Sequence, residues 1–302
     1  MKIAIFGANG LLGRKLVACL SGKYEILGVL SQKGKIRHNN LTVAIDIRSQ
    51  EQVERLFNEF SPDVAINCAA ICDLKKCEDE KQLAYDVHVK GTENIGRCCK
   101  KYDSKIIYIS SDYIYDGQSG PYSEETPPCP INYYGVTKLE GEKILEDIQP
   151  RYLIIRPTIL YGYNDKNDKQ TYVMDVLNKL KKKKELYCDN ERIKYPVLID
   201  DLARALDLFI SIGAEGKFNL ATEKGLTRFE WAKIIANVFE LDEVNIYPQN
   251  TNSYNKDRPC NVMLLTDKLR TTGFVPCGIE EGLKIMKDQM KGEIPLEYNT
   301  IG

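Results

Sequence analysis

The sequence predicts an α/β fold, a doubly wound parallel sheet with helices on both faces followed by a smaller mixed lobe. Two observations predict it. Short apolar runs alternate with amphipathic stretches from the first residue to about residue 160, and strands that alternate with helices build parallel sheets covered on both sides. Past that point the alternation loosens into scattered helices, one short strand and a polar loop-like stretch at 250–261. The expected division is therefore a sheet domain over 1–160, to which about 195–220 return, and a second lobe made mainly of 161–302.

Residues 2–6 form a short apolar run closed by glycine, which reads as a buried strand. Residues 11–20 place Leu12, Leu16 and Leu20 on one helical face. Strands follow at 24–30 and 41–45, and a helix at 49–60, where Ser49 as N-cap and Gln52 three residues later form a capping-box pattern. Strands at 63–68, 105–110 and 152–156 then alternate with a long helix at 78–101 and a helix at 133–146. In the second half, helices are expected at 172–183, 200–212, 228–239 and 279–291, and a strand at 217–220.

The chain has 302 residues, 43% of them hydrophobic, and a net charge of −1, enough for a large core. With acids and bases balanced, nothing points to nucleic acid. No apolar stretch reaches membrane-spanning length. The N-terminus reads as a strand and its turn rather than a signal peptide. Ten cysteines without a secretion signal fit a reducing, cytoplasmic setting. Their spacing lacks paired CxxC motifs, so no metal site is expected. Most should be small buried apolar residues. The run 181–184 of four lysines reads as a solvated helix end.

The first turn reads Gly7-Ala8-Asn9-Gly10-Leu11-Leu12-Gly13, between a strand and a helix. Glycines there allow a tight turn and close approach to a pyrophosphate, and the helix N-terminus offers free N–H groups to the anion. This is a dinucleotide-binding, Rossmann-type arrangement, spaced GxxGxxG. An acid at the end of the second strand would favour NAD. The strand instead runs into Ser31-Gln32-Lys33, a hydroxyl and a cation, which favours NADP, with NAD left open. Asp46 and Ile47 close the third strand and should flank the adenine. Cys68, Ala69 and Ala70 close the fourth, where small side chains leave room for a cofactor.

Tyr134 and Lys138 stand four residues apart on an expected helix, so they share a face. A free phenol titrates near pH 10, and a neighbouring cation should lower that value toward a useful range. The preceding strand ends at Ser111-Asp112-Tyr113. A hydroxyl there faces the crevice where such sheets hold ligands, and Ser111 could donate to a carbonyl oxygen as negative charge develops.

These motifs, in this order, resemble the extended short-chain dehydrogenase/reductases. The stretches Ser110-Ser111-Asp112-Tyr113-Ile114-Tyr115-Asp116-Gly117, Tyr134-Gly135-Val136-Thr137-Lys138-Leu139-Glu140-Gly141-Glu142, Arg156-Pro157 and Arg258-Pro259 are similar to the dTDP-4-dehydrorhamnose reductase branch. The resemblance implies an NADPH-dependent reductase of a nucleotide-linked 4-keto-6-deoxy sugar. Tyr134 would be the proton donor, Lys138 would hold the nicotinamide ribose, and Ser111 would polarise the carbonyl. Pro157 would line the cofactor, Asp112 and Tyr113 would lie at the substrate, and Arg258 would reach the nucleotide-sugar. Family members often form homodimers. Three positions depart from the family's usual pattern. Leu74-Lys75 stands for Val-Asp, His88 for an Asn, and Tyr113 occupies the place of the dehydratases' Glu. Two other activities share the motifs: a nucleotide-sugar epimerase holding NAD, and a non-catalytic dinucleotide-binding regulatory subunit resembling the methionine adenosyltransferase beta subunit.

Overall fold

The computed structural model describes residues 1–31, 41–163, 171–250 and 257–293. The chain forms two compact units, one of 1–114, 128–156 and 203–218, the other of 115–127, 157–202 and 219–302.

In chain order, the elements begin β1 (Lys2–Phe6), α1 (Leu11–Leu20), β2 (Glu25–Leu30), β3 (Leu41–Ala44), α2 (Gln50–Phe60) and β4 (Val64–Asn67). Next come α3 (Leu74–Asp79), α4 (Lys81–Tyr85), a π-helical turn (Asp86–Lys90), α5 (Gly91–Lys101) and β5 (Lys105–Ile109). A 3-10 turn (Asp112–Ile114), α6 (Tyr133–Ile148) and β6 (Arg151–Pro157) follow. The remainder holds β7 (Leu160–Tyr161), α7 (Tyr172–Lys181), β8 (Leu186–Asp189), β9 (Val197–Leu198), α8 (Ile199–Ser211) and β10 (Gly216–Leu220). It ends with α9 (Arg228–Val238), β11 (Ile246–Gln249), α10 (Asp267–Thr271) and α11 (Ile279–Lys291).

Seven strands form one sheet in the order β10-β6-β5-β4-β1-β2-β3. The pairings from β6 across to β3 are all parallel, as the alternating pattern predicts. The order reverses around β1, so the carboxyl ends of β1 and β4 lie beside each other at the switch point where such sheets hold ligands. Beneath lies a core of Ala4, Phe6, Phe57, Ile95, Tyr108 and Ile154 with their neighbours. The second unit has its own core around Trp231, which is fully buried against Tyr161 and Tyr172.

Three local expectations change. The helix expected over 78–101 is broken. Glu80 leaves helical dihedrals (φ −119, ψ 57), and Asp86–Lys90 forms a π turn before α5. The capping box expected at α2 is one-sided. Ser49 accepts from the Gln52 amide, but the Gln52 side chain turns to the Asp46 N–H at 2.9 Å. Of the cysteines only Cys77, Cys98, Cys99 and Cys188 are fully buried, while Cys72, Cys129 and Cys260 are exposed. Lys181 to Lys184 are exposed, as a solvated helix end should be. Among the described residues no helix is long and apolar enough to cross a membrane.

Candidate active site

The glycine turn joins β1 to α1. Gly7 sits at φ +79, a backbone conformation that disfavours any side chain. A Cβ on Gly7 would also lie 2.9 Å from the Ala69 nitrogen, so the turn packs directly on the end of β4. Gly13 packs so closely on Gly7 and Ala8 that any side chain there would overlap the backbone. Over Gly10 the space is open apart from the Gly7 carbonyl. Gly10 is the N-cap of α1, no side chain caps the helix, and its first turn carries no acid. Unclaimed N–H groups at an acid-free helix start fit a diphosphate. Asn9 and Gly10 are exposed, Leu11 is half-buried and Leu12 is buried beneath the turn.

Ser31 is exposed at the end of β2, and Lys33 lies outside the described residues. Asp46 is half-buried and grips Arg48, with Nη2–Oδ2 at 2.6 Å. That contact holds its carboxyl below the ordinary range. Ile47 is buried in the core, its carbonyl accepting from Asn94 Nδ2 at 2.9 Å. Cys68, Ala69 and Ala70 are half-buried just past β4. Burial pushes the Cys68 thiol up to about 12.

Asn132 caps α6, accepting from the Gly135 N–H at 2.8 Å, and so fixes the turn that carries Tyr134. The Tyr134 ring sits edge-on between two aromatic rings, His88 at 5.6 Å and Tyr113 at 5.8 Å. The Ser111 hydroxyl favours the ionised phenol and so draws its pKa downward. Ser111 is buried, hydrogen-bonds Asp112 Oδ1 at 3.2 Å and accepts from the Tyr113 N–H at 3.2 Å. Ser111, Tyr134 and the Asp112-Tyr113 turn thus come together at the ends of β5 and α6.

Lys138 is 1% exposed, with Nζ 4.1 Å above the centre of the Tyr108 ring. Among the described residues it enters no ion pair. Burial pushes it down to about 8, opposed by Cys72 and Glu142. The expected effect of Lys138 on Tyr134 is not what dominates. Burial first, and then the Cys72 thiol, push the phenol well above its ordinary value, and only Ser111 pulls it back appreciably. The chain's own groups therefore keep Tyr134 protonated.

Several buried groups around this pair carry no sequence motif of their own. Glu142, one turn beyond Lys138, is buried and bidentate with Arg156, at 2.6 Å for the shortest contact, and also bonds the Ser110 hydroxyl. The i, i+4 spacing of Lys138 and Glu142 was the available signal. Gly141 lets α6 approach Tyr108 and the His88 carbonyl, because a side chain there would overlap both.

Arg258 and Pro157 belong to the second unit. Pro157 is buried at the end of β6 and Arg258 is half-buried. The segment after Arg258 is anchored within that unit. The Asn261 N–H donates to the Gly117 carbonyl at 3.1 Å, Lys194 Nζ to the Pro259 carbonyl at 3.2 Å, and Tyr195 to Asn261 Oδ1 at 3.0 Å.

Residues 1–291 match the family described as the RmlD substrate binding domain. The methionine adenosyltransferase 2 subunit beta of Rattus norvegicus is 27% identical over 281 residues, covering 90% of this chain and 83% of that protein. A dTDP-4-dehydrorhamnose reductase of Aggregatibacter actinomycetemcomitans is 28% identical over 245 residues, covering 79% of this chain and 78% of that one. Among solved structures, dTDP-4-dehydrorhamnose reductase from Bacillus anthracis in complex with NADP superposes with a TM-score of 0.85 at 27% identity, covering 95% of this chain and 99% of that one.

Proposed function

The chain belongs to the RmlD substrate binding domain family, a reductase family of the extended short-chain dehydrogenase/reductase type, and from that premise we propose that it reduces the 4-keto group of a nucleotide-linked 6-deoxy sugar with NADPH. The observation that carries the reading is the state of Tyr134: half-buried between His88 and Tyr113, held protonated, influenced by Ser111 and one helical turn from Lys138. A reductase needs its tyrosine protonated when the ketone becomes an alkoxide, and an alkoxide is basic enough to take a proton even from a phenol whose pKa is raised.

Bound NADPH would supply the hydride at the carbonyl carbon. The rest falls to the chain. The uncapped start of α1 receives the diphosphate. Ser111 donates to the carbonyl oxygen as charge develops there. Tyr134 gives that oxygen its proton. Lys138, cationic below about pH 8, holds the ribose and offsets the negative charge left on the phenol. Arg258 takes the nucleotide phosphates of the sugar. Ten free cysteines suit the reducing cytoplasm.

The test is NADPH consumption with dTDP-4-dehydrorhamnose and related nucleotide keto-sugars. Turnover by the wild-type chain that collapses in Tyr134→Phe supports the reading; no turnover with any of them rejects it. The similarity to the methionine adenosyltransferase subunit favours a second reading, in which the same glycine turn binds a dinucleotide and the protein acts as a regulatory partner. Stoichiometric capture of a synthetase by a chain that binds NADPH without turnover would select that reading.

A further inference from the structure

A continuous chain of buried polar groups links the end of β4 to the turn of α6 that carries Tyr134. Asn67 Oδ1 accepts from the Ala69 N–H at 3.1 Å, and Asn67 Nδ2 donates to Thr92 Oγ1 at 3.0 Å. The Thr92 hydroxyl donates to the His88 carbonyl at 2.7 Å. The His88 ring then makes two bonds. Nε2 accepts from the Ile71 N–H at 2.8 Å, and Nδ1 lies 2.8 Å from Thr137 Oγ1. Thr137 Oγ1 is 3.0 Å from the carbonyls of both Tyr133 and Tyr134. None of Asn67, Thr92, His88 and Thr137 is more than 1% exposed.

The proton positions follow from the partners. A backbone N–H can only donate, so Nε2 is the acceptor and the neutral ring carries its proton on Nδ1. Nδ1–H donates to Thr137, and the Thr137 hydroxyl donates on to a carbonyl of the first turn of α6. Only the neutral ring completes this chain, and burial together with the Lys138 charge holds His88 down to about 3. The Ile71 peptide is gripped on its other side too, its carbonyl accepting from Cys77 Sγ at 3.3 Å. Cys72, the next residue, is close enough to act electrostatically on both Tyr134 and Lys138.

We propose that His88 is a positioning residue that locks the Ile71–Cys72 backbone to the Tyr134 turn of α6, so that the segment beyond β4 and the acid–base helix keep one fixed register. A buried histidine that only filled space would not need both ring nitrogens bonded to two different segments. A fully satisfied buried network specifies one geometry, and small misplacements near a reacting centre are costly. The role rests on the reading of Tyr134 as the acid, but its geometry can be tested without turnover.

The experiment compares Thr137→Val, which removes the hydroxyl, with Thr137→Ser, which keeps it. It reads hydrogen exchange at the Ile71 amide, NADPH affinity, and kcat and KM for the keto-sugar that the wild type reduces. Thr137→Val should lower kcat by roughly ten- to a hundredfold with KM little changed, weaken NADPH binding and deprotect the Ile71 amide. Thr137→Ser should restore all three. Nitrogen chemical shifts of His88 should report a neutral, Nδ1-protonated ring. Wild-type exchange and kcat in Thr137→Val, or a Thr137→Ser variant no better than Thr137→Val, would overturn the proposal. If the wild type reduces no sugar, the reductase reading fails by itself, and the positioning role is decided by Ile71 exchange and NADPH affinity.

Discussion

The two halves of α6 each bury a cation, and they treat it in opposite ways. Toward the C-terminal half, Glu142 grips Arg156 with both side chains at 1% exposure and takes the Ser110 hydroxyl as well. Every charge there has a partner. In the N-terminal half, Lys138 is equally buried but faces the Tyr108 ring, with no ion pair among the described residues. Burial lowers it from its ordinary 10.5 to about 8. A paired buried charge supports the fold when intact; an unpaired one costs stability and is kept for what it does. One helix thus carries a structural end and a poised end, and the difference can be broken by mutation.

The largest effect is expected at the poised end. Tyr134→Phe should reduce kcat by about 10²- to 10⁴-fold while leaving the melting temperature near wild type, as steady-state kinetics and calorimetry would show. At the structural end, Glu142→Ala should destabilise the fold by about 3–5 kcal/mol, because it takes the buried carboxylate away from the Arg156 guanidinium. Urea denaturation measures this.

Lys138→Met should do the reverse. Relief of a shift from 10.5 to about 8 is worth up to about 3 kcal/mol, so stability should hold or rise while turnover collapses. A Lys138→Met protein as destabilised as Glu142→Ala would erase the distinction.

The smallest effect concerns His88, held from 6.5 down to about 3 chiefly by burial. In that window the unfolded chain binds the proton and the folded ring does not, so stability falls as pH drops. Between pH 6.5 and about pH 5 the loss should be about 2 kcal/mol. In His88→Gln this part of the pH dependence should disappear.

Much of the frame was legible because its signals are local. The strand, the glycine turn and the amphipathic helix at 11–20 lie within the first twenty residues, and the parallel order follows from alternation alone. Tyr134, Lys138 and Ser111 were legible as types in a pattern. What could not be read depends on partners far away in sequence. His88 stood out only as an unusual residue; its bonds to Ile71 and Thr137 span 17 and 49 positions. The π turn that carries it lies inside what reads as one long helix. The direction in which Tyr134 is shifted is set chiefly by burial, which has no signature in residue spacing. Nor does any local signal show that 115–127 belongs with the second unit, where the Tyr122 N–H bonds the Met263 carbonyl at 2.8 Å.

Lys138 is a buried cation poised to hold the cofactor. Calorimetric titration of NADPH into the wild type and Lys138→Met, from about pH 6 to about pH 10, tests it most directly. Affinity in the wild type should fall as the pH passes through about 8, while Lys138→Met should bind weakly and show no such step. The same affinity and the same pH dependence in both proteins would contradict the account.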